Sequence, residues 1–147
     1  MNAPTTRDAT VAELSGFPAR LEVAVHAASA RPVPDGSWSP IEVVRHLIAV
    51  ETDVHQARLD DLSRAGTPAW RWEEPTPWLG EPDLTLSDLL DRFATLRATT
   101  LRTVDRLADA DWDRAGVHAV LGALDVTGLL ANAVDHDGAH LQDLIRR

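Results

Sequence analysis

The chain has 147 residues, a formal net charge of −9 and no cysteine, which is enough for a single domain over 1–147 whose core needs neither disulfide nor structural metal. Without cysteine there is no thiolate ligand or Cys nucleophile, so any thiol chemistry uses a thiol brought by a substrate. The acidic balance excludes nucleic acid and anionic membrane as partners, and the lack of an apolar span, or of an apolar signal core in Met1 to Thr10, makes a cytoplasmic location the expectation.

Thr10 and Glu13 have the spacing of a capping box, but Gly16 and Pro18 follow at once, so a short helical turn and a fresh start at Phe17 are expected. From there Phe17, Leu21, Ala24, Val25 and Ala28 form one stripe at helical spacing, the first of four helices. His26 falls on the opposite, solvated face. After the turn-rich stretch from Arg31 to Ser37, Ser39 as N-cap, Pro40 at N1 and Glu42 closing a box start helix two, which runs to about Ser63. It is apolar along two arcs and so packs between neighbours. His46 lies at the edge of one arc, and His55 reads as a core histidine.

Arg64 to Leu84 holds six of the chain's Pro and Gly punctuators around Trp70, Trp72 and Trp78, too many for a helix and long for a loop without function. Its indoles either fold down as a lid on the bundle or wall a pocket or an interface. Thr85 then caps helix three, with Leu86, Leu89, Leu90, Phe93, Leu96, Leu101, Val104 and Leu107 at helical spacing to about Ala108. Arg97 falls inside that stripe and needs a carboxylate. Glu51 is the expected partner, because each residue lies equally deep in its helix. Asp109 to Leu124, with Trp112 and His118, reads as an irregular crossing, and the role of His118 stays open. Asp125 caps helix four, with its apolar arc at Val126, Leu130, Ala133, Val134, Leu141 and Leu144.

Within helix four, His136 and His140 stand one turn apart on one flank, so two imidazoles can converge on an ion. Two ligands hold an ion loosely. Antiparallel packing of helices two and four would bring His46 level with His140 as the third. Asp137 lies nearer the arc's centre, where a carboxylate needs a partner, and its neighbours suggest that it orients an imidazole. Gly138 suggests a close approach to the backbone. The expected fold is all-α, a four-helix bundle with long connections.

The W-S-P-x-E-V-V-R-H-L run from Trp38 to Leu47, the central Arg97, the G-x-x-D-V-T-G-L-L run into helix four and the H-D-x-x-H from His136 to His140 together resemble the DinB/YfiT-like family of bacterial metal-binding four-helix bundles. The resemblance covers nearly the whole chain. It implies an unusual connection order, a homodimer, and a metal centre with one histidine from helix two and two from helix four, here His46, His136 and His140. Glu51, Arg97 and Asp137 are the supporting candidates around it. Activities in the family include thiol S-transfer and mycothiol-dependent maleylpyruvate isomerisation, in which a metal activates a low-molecular-weight thiol. Isomerase-type sites replace one histidine by a carboxylate, which this sequence does not do.

The expectation is therefore a divalent ion on three histidines, zinc by default with nickel, iron, copper and manganese also open. It would activate a small thiol or water for S-transfer or hydrolysis of a small-molecule substrate. The alternative is a non-catalytic metal-binding or stress-associated interaction module.

Overall fold

The computed structural model describes residues 5–147. Four long helical stretches carry the fold: α1 (Thr6–Ser29), α2 (Pro40–Val50) running through a π-helical turn (Glu51–Gln56) into α3 (Ala57–Leu62), then α4 (Leu86–Asp105) and α6 (Val126–Ile145). A single turn, α5 (Asp109–Trp112), and three short strands, β1 (Ala69–Trp70), β2 (Ala115–His118) and β3 (Gly122–Asp125), fill the connections. The helices pack α1 against α6 and α4, and α2 against α4. The fold is a four-helix bundle, and among the described residues no helix is long and apolar enough to cross a membrane.

Three of the four long stretches start where a short side chain and an acid three residues on satisfy each other's orphan N–H groups: Thr5 with Asp8, Ser39 with Glu42, and Thr85 with Asp88. The first of these corrects the sequence expectation. Helix one begins at Thr6 rather than Phe17, and Thr10 sits inside it, its hydroxyl donating to the Thr6 carbonyl. Pro18 is also interior and has no N–H to give the Leu14 carbonyl four residues back. Arg97 Nη1 from α4 donates to that carbonyl instead, at 3.0 Å, so a tertiary contact fills the gap that the sequence reads as a helix break.

The core is two apolar clusters separated by a polar layer. One gathers Phe17, Leu21, Val25, Val43, Leu47, Leu89 and Leu144, the other Leu14, Leu59, Leu62, Trp70, Val104, Trp112 and Leu130. Between them lie Arg97, Glu51 and Asp137, each no more than 4% exposed. Arg97 donates Nε and Nη2 to the two oxygens of Glu51 at 2.8 and 3.0 Å, and Nη1 and Nη2 to those of Asp137 at 2.9 and 3.0 Å. The rings of Phe17 and Phe93 lie about its guanidinium. Glu51 is thus the partner expected, but Asp137 spends both oxygens on Arg97 rather than orienting an imidazole.

The crossing from Asp109 to Leu124 is more ordered than the sequence suggests. β2 pairs antiparallel with β3, and β1 adds to β2 in parallel, with Trp70 opposite His118. Gly116 is required here, since a Cβ would come within 2.4 Å of the Trp70 indole, which lies across it. Gly138 is different: a Cβ there meets nothing within 4 Å, so no close approach explains it.

The Trp-rich connection folds onto the bundle. Arg45, buried on α2, donates to the carbonyls of Trp78, Gly80 and Glu81 at 2.8–2.9 Å, and Trp78 N–H returns a bond to the Arg45 carbonyl. Trp70 is buried and donates to Asp61, whereas Trp72 stays exposed. Pinned at both ends, the intervening residues 73–77 lie across the flank where α2 meets α6.

Candidate metal centre

His46 is fully buried on α2, and His136 and His140 stand one turn apart on α6. Helical spacing puts the latter pair together, their ring centroids 4.6 Å apart, and packing brings His46 to 5.3 and 4.7 Å from them. The Nε2 atoms of His46 and His136 are 3.4 Å apart. A fourth group completes the cluster. Glu74, from the Trp-rich connection, sets Oε1 at 2.7 Å from His46 Nε2, 3.2 Å from His136 Nε2 and 3.6 Å from His140 Nε2. One atom from each of these four residues falls within 4.8 Å of all the others.

The donor chemistry fits a metal. His46 Nδ1 donates to the Pro75 carbonyl at 2.6 Å, which fixes the tautomer and leaves the Nε2 lone pair pointing inward. Metal–nitrogen bonds of ~2.05 Å in a tetrahedral shell imply donor separations of about 3.3 Å, the scale of the contacts observed. Burial pushes the pKa of His46 down, against the opposing pull of the Pro75 carbonyl and Glu74. His140 is pushed down to about 4 by burial, then by His136 and His46. Burial alone would raise Glu74, but the hydrogen bond and the fields of the three imidazoles outweigh it and lower its pKa. Burial thus favours the neutral form of His46 and His140, and Glu74 is held as a carboxylate, the protonation states a cation requires.

Trp38, next to the Ser39 cap, covers the inner side of the cluster, its ring 4.6 Å from His46 and stacked 6.4 Å from His140. The other side opens onto a cavity of about 400 Å³ whose lining includes Glu74, His136, His140, His55, Arg58 and His118. His55 stands edge-on to His136, ring centroids 6.1 Å apart, turned there by the π-helical turn that the sequence does not signal. Its Nε2 is buried without a partner. His26 is exposed, as expected, beside Glu22. Glu74 escaped sequence reasoning because no spacing rule ties a loop acid to helices on either side of it. The one available signal is its place in W-E-E-P, directly before a proline.

His55 makes the metal-free protein acid-sensitive. Burial, the largest influence, lowers its pKa from 6.5 to about 4. Between those values the unfolded chain binds a proton that the folded chain refuses, so stability is complete above pH 6.5 and falls as pH drops towards 4. With metal removed by chelator, urea unfolding of the wild type at pH 7 and pH 4.5 should differ by about 2–3 kcal/mol more than that of His55→Leu. Equal pH dependence in the two would show that His55 takes up its proton while folded.

The solved structure of YfiT from Bacillus subtilis, described as a probable metal-dependent hydrolase with an unusual four-helix bundle topology, is similar to the whole of this chain over 91% of its own length, with a TM-score of 0.65 and 21% sequence identity. At that identity the likeness is one of fold. No curated protein matches the sequence. The model of the DinB superfamily matches residues 5–144, from the cap of α1 to the last turn of α6. The chain belongs to the DinB superfamily.

Proposed function

We propose that the protein is a metal-dependent enzyme. In this reading His46, His136 and His140 hold a divalent ion, with Glu74 as a displaceable fourth group, for attack of water or a small thiol on a small-molecule electrophile. The observation that carries it is the convergence of three Nε2 atoms and one carboxylate oxygen on the wall of a 400 Å³ cavity. An ion held there would supply Lewis acidity and make a nucleophile of water or thiol at neutral pH. Zinc suits this donor set, and nickel, iron and manganese lie within its chemistry.

The chain's own residues divide the remaining work. The Pro75 carbonyl keeps the proton of His46 on Nδ1, Trp38 keeps bulk water from the inner side, and Glu74, 39% exposed at its side chain, can leave the cluster and accept a proton from the nucleophile. Hydrolysis is favoured by the description of YfiT as a probable metal-dependent hydrolase. Thiol transfer is compatible with a chain that contributes no thiol of its own. The two reactions differ only in which nucleophile enters the cavity.

One observation favours a second reading. Three histidines and Glu74 are four protein donors, enough to close a tetrahedral shell and make a non-catalytic metal-binding module. Glu74→Gln separates the two, since it keeps the shape and removes both charge and base. If Glu74 acts as a base, the variant retains its ion and turns over nitrophenyl esters, or a chlorodinitroarene with a small thiol, roughly 10²–10⁴-fold more slowly than the wild type. Loss of the ion in the variant, with an inactive metal-loaded wild type, would leave the closed module.

A further inference from the structure

Three arginines are buried in this bundle, and they are not equally supplied. Arg97 meets two carboxylates and a carbonyl, and Arg45 meets three carbonyls. Arg58, on α3 and 6% exposed, makes a single hydrogen bond, from Nη2 to the Arg71 carbonyl at 3.0 Å. Its Nε is enclosed with no partner, and no carboxylate among the described residues forms an ion pair with it. Glu73 and Asp61 act on it only at longer range, and Asp61 is already engaged by Trp70 and Arg64. A buried guanidinium so thinly compensated is expensive for a folded protein.

His118 adds a donor beside it. Its Nδ1 accepts the backbone N–H groups of Val120 and Leu121 at 3.0 and 3.1 Å. The ring proton is therefore held on Nε2, which has no hydrogen bond among the described residues. Arg58 and His118 line the same cavity as Glu74, His136 and His140, so one chamber holds the metal-type cluster and an undersupplied cation.

We propose that Arg58 and His118 form an anion subsite, and that the substrate carries a carboxylate held there while its reacting end meets the histidine cluster. A monoanion fits better than a phosphate dianion, because Arg58 is, among the described residues, the one arginine lining a chamber that also holds Glu73, Glu74 and Asp135. A planar carboxylate also accepts well from a guanidinium edge. Val50, Val54, Trp72 and Ala139 form apolar wall on the same cavity, which suits a short hydrocarbon spacer between the two ends of the ligand. The subsite rests on the metal-centre reading for where the reacting end lies.

The experiment loads the full chain with Co²⁺ and titrates it calorimetrically with ω-mercaptoalkanoates of increasing chain length and with the matching uncharged amides. At the length that spans the chamber, the wild type should bind the carboxylate at least about tenfold tighter than the amide, the scale of a charge-assisted hydrogen bond. In Arg58→Gln that ratio should collapse to about one at unchanged Co²⁺ content, and in Arg58→Lys it should survive in part. Should Arg58→Gln fail to fold, Arg58→Lys and the wild-type ratio decide the matter. A Co²⁺-loaded wild type that binds acid and amide alike at every length overturns the subsite. A wild type that takes up no Co²⁺ overturns the metal centre instead. The subsite then stands or falls on whether hexanoate raises the melting temperature of the metal-free protein more than hexanamide does, and does so only with Arg58 in place.

Discussion

Arg97→Ala should lose most of the protein's stability at neutral pH, by about 4 kcal/mol or more out of the 5–15 kcal/mol typical of a domain. The magnitude follows from what the substitution strands. Glu51 and Asp137 are almost completely buried; Arg97 bonds both oxygens of each, and among the described residues only Glu51 has a further donor, the Thr100 hydroxyl. Breaking one buried pair costs ~3–5 kcal/mol because an uncompensated charge is left behind, and here two carboxylates share the loss. The Leu14 carbonyl also goes without its donor, since Pro18 cannot replace it.

The sign of the pH dependence distinguishes this account from simple loss of packing. In the wild type, burial raises Asp137 more than Arg97 lowers it, while for Glu51 the arginine outweighs burial and the pKa falls. Without Arg97 both should sit above their unfolded values. The folded variant then binds protons that the unfolded chain does not, so its deficit should shrink as pH falls from 7 to 5. Urea unfolding at the two pH values reads this directly. A deficit within about 1 kcal/mol at pH 7, or one that grows on acidification, would mean that the charged layer is not what joins the two apolar clusters. Adding Glu51→Leu and Asp137→Leu to an Arg97→Met background should recover much of the loss, because an apolar layer of similar volume needs no compensation.

What the sequence discloses of this molecule is what local rules govern. The caps at Ser39, Thr85 and Asp125 depend only on neighbours three residues away, and the structure has all three. The His136 and His140 pair depends only on helical pitch. The expectations that missed depend on contacts between distant segments. Pro18 reads as a break because its effect on Leu14 is local, whereas the donor that repairs it comes from α4. Asp137 is drawn towards its histidine neighbours by sequence proximity, yet its oxygens face Arg97 across the bundle. Glu74 reaches the cluster where Arg45 pins the Trp78 end of the connection to α2 and the Pro75 carbonyl accepts from His46, and nothing in W-E-E-P records that. The π-helical turn, which holds both Glu51 and His55, has no composition of its own.

His46→Ala should abolish metal retention, while His26→Ala leaves it intact. His46 is wholly buried, with Nδ1 engaged by Pro75 and Nε2 closest of the three to Glu74, so its loss leaves two adjacent imidazoles on one helix and only the part-exposed, displaceable Glu74 beside them, an arrangement that holds an ion loosely. Truncating a buried ring also leaves a void that destabilises by itself, so the informative quantity is the change in melting temperature on adding metal. For the wild type, a free ion at ~1,000 times its Kd stabilises by about 4 kcal/mol, which for a chain of this size is a rise of roughly 8–16 °C. His46→Ala should show no such rise, and elemental analysis should find about one ion per wild-type chain and none in the variant. Acid must release the ion, because protons and metal compete for the same Nε2 atoms. Burial already holds His46 and His140 below the ordinary histidine value, His140 at about 4, so loss should set in well below pH 6.5, whereas an exposed pair would begin to lose its ion there. Equal metal content in His46→Ala and wild type would remove His46 from the centre and leave Glu74 as the third donor beside His136 and His140.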